Sequence, residues 1–157
     1  MRFNEILENE IFINTLAELN ALEKNRKFCK HGIEHLFDVA RTAYIINLEN
    51  SLGIDKDLIY AAALLHDLGR VQEYKNSVPH ELASVEIARK ILAQTSYTPQ
   101  ETLEIVEAIS NHRKTDEGDN LTTIIYKGDK LTRNCGMCNA LAECNWSESK
   151  KNYKMRY

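Results

Sequence analysis

The adjacent pair His66-Asp67 closes the apolar run AAALLHDLGR, so an imidazole and a carboxylate arrive together at the end of a buried stretch. Ile59, Ala62 and Ala63 precede His66 at i−7, i−4 and i−3, which puts the imidazole on the apolar stripe of a helix. A carboxylate buried beside an imidazole needs a countercharge, and a cation is the simplest one. The other histidines repeat the pattern. His35 has Val39 at i+4, His80 follows Pro79 on the stripe Ala83, Ile87, Ala88, Ile91, and His112 completes the stripe Ile105, Ala108, Ile109. His31 stands one turn before His35, and Asp129 lies in line with Ile125 and Thr122. Taken singly, each reads as a hydrogen-bonded core residue, a cap or half of an ion pair. Taken together, four inward histidines at or near helix ends, a fifth one turn from His35, and two inward aspartates argue for a shared cation. Imidazole and carboxylate donors suit Fe, Mn, Ni, Co or Zn, or Mg where carboxylates dominate. With N and O donors and open positions, such a site can acidify a bound water, which is a catalytic design.

The elements that must position these residues are helical throughout. Apolar residues at helical spacing mark helices over residues 4–24, Ile33 to Leu48, Asp55 to about Gly69, Pro79 onward, Thr98 onward, and Leu121 to Arg133. Asp55 is the expected N-cap of the third, and Gly69 suits the residue just past its end. Thr98, Pro99 and Glu101 form a capping box with proline at the first helical position. Val71 to Pro79 shows no period and reads as a loop. Two prolines, six glycines and no alternating strand pattern make the expected fold all-α, a compact single-domain bundle of about six or seven helices over 1–157.

Composition sets limits on partners. A hydrophobic fraction of 43% and a charged fraction of 27% are ordinary for a globular protein, and a net charge of −3 gives no reason to expect nucleic-acid binding. No apolar run approaches the ~20 residues needed to cross a bilayer, so no membrane partner is expected. The start, MRFNEILENE, is too acidic and interrupted for a signal peptide, which points to a cytoplasmic protein with reduced thiols. A homodimer is left open.

The order His35 … His66-Asp67 … Asp129, in the contexts EHLFDVAR, AALLHDLGR and GDKL, resembles the HD-domain metal-dependent phosphohydrolase superfamily over roughly His31 to Arg133. The resemblance implies a helical bundle of the HD type in which His35, His66, Asp67 and Asp129 bind one divalent ion. His80 and His112 match the extra histidines of some branches, where they hold a second ion bridged by the aspartate of the doublet; the alternative is that they contact substrate phosphate. The implied reaction is hydrolysis of a phosphoric ester or anhydride, with a metal-activated hydroxide attacking phosphorus. Asp67, Arg70 and Lys130 are the expected catalytic residues. His31, Arg70, Arg113 and Lys130 are the candidate contacts to substrate phosphate, while Arg133 reads as surface charge. Among sub-families, the small bacterial hydrolases of diadenosine polyphosphates match best in length and in the two extra histidines. The expected substrate is therefore a small phosphorylated molecule, a nucleotide or dinucleotide polyphosphate. The other functional reading is a metal- or nucleotide-binding regulatory module with little or no turnover.

Cys135, Cys138 and Cys144 lie in the C-terminal segment 134–157, with Cys29 remote in sequence. Four thiolates would suit a structural Zn tying this segment to the start of the second helix. An Fe–S cluster and plain buried thiols are the other readings of the same residues.

Overall fold

The computed structural model describes residues 1–113 and 118–157. Among the described residues it contains eight α-helices and no strand: α1 (Phe3–Leu7), α2 (Glu10–Leu22), α3 (Ile33–Glu49), α4 (Lys56–Leu65), α5 (Arg70–Asn76), α6 (His80–Leu92), α7 (Pro99–Asn111) and α8 (Leu121–Leu131). The all-α expectation holds. None of these helices is long and apolar enough to cross a membrane.

α4 is the axis of the bundle. The Asp55 side chain accepts from the Asp57 backbone N–H at 2.7 Å and starts the helix. Ile59 and every residue from Ala61 to Leu65 are fully buried, the signature of a helix surrounded on all sides. α3 and α7 pack along it, α8 packs against both of these, and α6 lies on α7. α8 approaches α3 closely: a Cβ on Gly128 would sit 2.9 Å from the Val39 carbonyl oxygen. That contact sets Asp129 of α8 beside His35 of α3.

Three expectations need correction. The helix read over residues 4–24 is broken, because the Asn9 side chain accepts from the Ile11 N–H at 2.9 Å and caps a new helix, α2. Val71 to Pro79 is not a loop; most of it is α5, a seven-residue helix that buries only Val71 and so shows no repeating apolar stripe. Gly69 does not take the left-handed conformation of a helix terminator. Its φ is −65°, and it serves as the N-cap of α5.

The capping box at α7 forms as expected, and Arg2 extends it. Glu101 accepts from the Thr98 N–H at 2.8 Å and from Arg2 Nη1 at 2.9 Å. Arg2 and then Thr98 hold the Glu101 carboxyl down at about 2, below the ordinary 4.5. A folded value below the unfolded one means the contribution is complete above about 4.5 and is lost as pH falls towards 2. Glu101→Gln, which keeps a capping side chain but not the ion pair, is expected to cost about 0.5–1 kcal/mol at pH 7. The difference from wild type, measured by urea denaturation, should shrink steadily below pH 4.5.

Candidate metal centre

Helix ends bring the six expected donor residues to one place. His66 caps the C-terminus of α4 with Asp67 following, His80 opens α6, His112 caps α7, and His35 and Asp129 come from α3 and α8. All six are buried, with His66 0% and Asp67 1% exposed. Their donor atoms form two groups, each spanning no more than 4.8 Å: His35, His66, Asp67 and Asp129 in one, and Asp67, His80 and His112 in the other. Asp67 belongs to both. Its Oδ2 lies 3.2 Å from His66 Nε2 and 3.7 Å from His35 Nε2, while its Oδ1 lies 3.4 Å from His80 Nε2. Asp129 Oδ1 is 3.3 Å from His35 Nε2 and 4.0 Å from His66 Nε2.

The imidazoles are fixed from behind. His66 Nδ1 donates to the Ala63 carbonyl at 2.7 Å, and His112 Nδ1 donates to the Ile109 carbonyl at 2.6 Å. His80 Nδ1 donates to both carboxylate oxygens of Glu73 at 3.1 Å. Carbonyl oxygens only accept, so Nδ1 carries the hydrogen and Nε2 turns its lone pair inward. His66 Nε2, Asp67 Oδ2 and His80 Nε2 are buried with no hydrogen-bond partner. Three orphaned polar atoms at one point would be costly unless an ion satisfies them, and N/O donors of this kind suit a divalent metal. The residues present therefore fit the ion.

Without an ion, a proton on His66 supplies part of the countercharge: burial would lower this imidazole, but Asp67 raises it above its ordinary value. Burial opposes ionisation of Asp67, but His66 and Arg70 outweigh it and hold the carboxyl well below its usual range. Asp129 is likewise held low by His35 and Lys130 against the effect of burial. Burial and the neighbouring His66 push His112 down to about 4, which leaves its ring neutral at pH 7 and able to bind a metal.

The expected cations are present but engaged. Arg70 Nε donates to Asp67 Oδ1 at 2.9 Å and Nη1 to Glu73 at 3.2 Å, so its guanidinium holds the bridging carboxylate. Lys130 Nζ donates to Asp129 Oδ2 at 2.5 Å. Arg113 is exposed and pairs with Glu81 at 3.5 Å. Arg133, read as surface charge, instead reaches the centre and donates through Nη2 to His35 Nε2 at 2.8 Å. His31, read as a frayed end, is buried, with Nδ1 donating to Glu23 at 2.5 Å and Nε2 facing Asp67 Oδ2 at 3.9 Å. Burial pushes the His31 ring down to about 4 despite Glu23. Glu23 would be raised by burial, yet hydrogen bonds from His31 and Tyr74 bring it to about 2. Glu23, Glu73 and Ser84, which accepts from the Gly69 N–H at 2.8 Å, have no sequence pattern that marks them.

Cys29, Cys135, Cys138 and Cys144 are free thiols, and among the described residues they make no donor group able to hold an ion. Polar contacts tie the C-terminal segment down. Lys27 pairs with Glu143, and Asn152 Nδ2 donates to the Arg133 carbonyl at 3.1 Å and also to that of Lys130.

Comparison with known proteins bears on the family and the fold. The family model described as the HD domain matches residues 32–135. A Clostridium beijerinckii protein described as uncharacterized is 44% identical over 156 residues, covering 99% of each chain. Ribonuclease Y of Acetivibrio thermocellus is 27% identical over 109 residues, 69% of this chain but 19% of the ribonuclease. Ribonuclease Y of Clostridium botulinum is 27% identical over 117 residues, 74% of this chain and 21% of that protein. This chain thus spans about a fifth of the length of either ribonuclease. The crystal structure of a predicted HD superfamily hydrolase from an uncultured Thermotogales bacterium is similar in fold, with a TM-score of 0.64 at 23% identity, over 96% of this chain and 87% of that one.

Proposed function

The chain belongs to the HD domain family, and from that premise we propose that it hydrolyses a phosphoric ester or anhydride bond in a nucleotide or dinucleotide polyphosphate, using two divalent ions. The observation that carries this reading is the placement of Asp67, whose two oxygens face two separate groups of buried imidazoles. His35, His66, Asp67 and Asp129 would hold one ion, and Asp67, His80 and His112 the other. Ions in these positions would polarise a phosphoryl oxygen and supply a nucleophile at neutral pH.

The rest follows from the residues themselves. Arg70 fixes the orientation of Asp67, and Glu73 fixes that of His80, so the donors are aimed before any ligand arrives. Lys130 and Arg133 are the cations nearest the donors of α3 and α8. They are the groups available to offset negative charge building on the equatorial phosphoryl oxygens. Burial of the cluster keeps water from screening that interaction.

The test is turnover of a panel of nucleotides, dinucleotides, p-nitrophenyl phosphate and an oligoribonucleotide with Mn, Fe, Co, Ni or Mg. Hydrolysis of the mononucleotide or dinucleotide substrates supports the reading; cleavage confined to the oligoribonucleotide, or none, overturns it. His80→Ala and His112→Ala should each lower bound metal from about two ions per chain to about one. Elemental analysis of the purified variants checks this, and unchanged stoichiometry would assign the two histidines to substrate phosphate.

A further inference from the structure

Beyond the metal centre, α8 and the C-terminal segment enclose a cavity of about 770 Å³, within the ~300–1,000 Å³ of small-molecule sites. Five cationic side chains line it: Arg113, Lys127, Lys130, Lys150 and Arg156. No acidic side chain is among its described lining residues. The chain as a whole carries a net charge of −3, so this concentration of positive charge runs against the composition. Such a lining suits a polyanion.

Three further lining residues are aromatic. Tyr126, Trp146 and Tyr157 face the same space, and flat rings beside cations are the groups on which a nucleobase stacks while its phosphates are neutralised. Lys130 joins the cavity to the metal centre. Its Nζ donates to Asp129 Oδ2 at 2.5 Å and lies 5.8 Å from the ring centroids of both Tyr126 and Trp146. The wall is anchored to the same helix end: Asn152 Nδ2 donates to the Lys130 and Arg133 carbonyls, and its own carbonyl accepts from the Cys135 and Gly136 N–H groups at 3.0 and 3.2 Å.

We propose that this cavity is a nucleoside-polyphosphate subsite, which stacks the base on Trp146 and Tyr126 and holds the non-reacting phosphates on Lys127, Lys150 and Arg156. Lys130 stands where the ligand passes from the cavity to Asp129. The assignment rests on the hydrolase reading for its choice of ligand, and it gives the C-terminal segment a binding role.

Trp146 is the single tryptophan of the chain, so its fluorescence reports on this cavity alone. The probes are β,γ-methylene analogues of nucleoside triphosphates carrying each of the four bases, with inorganic tripolyphosphate, adenosine and a single-stranded oligoribonucleotide alongside. Saturable quenching by at least one analogue is expected, with tripolyphosphate and adenosine each binding at least about tenfold more weakly. Lys150→Ala with Arg156→Ala, at two exposed positions, should raise the analogue dissociation constant at least about tenfold. Equal binding of tripolyphosphate and analogue would reduce the cavity to an anion patch and overturn the proposal. Tighter binding of the oligoribonucleotide than of every analogue would overturn it in favour of a strand groove. Quenching without turnover would remove the hydrolase reading and keep the subsite. Turnover of nucleotides without any change in Trp146 fluorescence would do the reverse.

Discussion

Asp67→Ala is expected to empty both donor groups at once, lowering bound metal from about two ions per chain to near zero and activity by more than about 100-fold. Loss of a residue that merely orients a ligand costs ~10–100-fold in affinity or activity, and loss of a shared ligand should exceed that. The effect is large because no neighbour can take over. Oδ2 is the buried atom left without a hydrogen bond between His66 and His35, and Oδ1 is the atom facing His80. Asp129, the other carboxylate of the cluster, belongs to the first group only. The substitution also leaves Arg70 with Glu73 as its remaining carboxylate partner in this corner. Elemental analysis, turnover and the rise in melting temperature on metal addition should all fall together. Retention of full activity and metal would refute the two-ion reading outright.

Gly69→Ala should be the most destabilising single methyl in the chain, at about 3 kcal/mol or more. A Cβ there would sit 2.1 Å from the His80 carbonyl oxygen, 2.4 Å from the Ser84 nitrogen and 2.7 Å from Ser84 Oγ. Two of those atoms are backbone in the first turns of α6, so no rotamer change relieves the clash. Either the junction between α4 and α5 retreats, or α6 does, and both carry a metal-facing residue with them. The variant is therefore expected to lose the ion nearest His80 as well as stability. Urea denaturation and metal stoichiometry read the two effects separately. A loss below about 1 kcal/mol would mean that α6 gives way freely.

The donors were legible because each lies on an apolar stripe that a helix of two or more turns repeats often enough to phase. His66 follows Ile59, Ala62 and Ala63, and His112 follows Ile105, Ala108 and Ile109; the structure buries all eight. The caps at Asp55 and Thr98 were legible for a local reason, since their side chains bond backbone two or three residues away. α5 was hidden because it is too short to show a period and buries one side chain. Gly69 looked like a terminator since glycine is common at helix ends, whereas its reason is the approach of a distant helix. Glu23 and Glu73 carry no signal in the sequence, and Arg133 reads there only as surface charge. Their partners His31, His80 and His35 stand 8, 7 and 98 residues away across a break between helices, and a lone charged residue carries no phase. The polar contacts that anchor the cysteine-bearing segment, through Asn152 and Glu143, have no spacing in the sequence that announces them.

One consequence of drawing every donor from a helix end concerns how the bundle comes apart. An ion in the first group would join α3, α4 and α8, and one in the second would join α4, α6 and α7, with α4 common to both. Mechanically the pair would act as a rivet through one end of five helices, closing long loops that the unfolded chain leaves open. α1 and α2 lie outside it, so a chelator should loosen the riveted end while leaving the way these two fray unchanged.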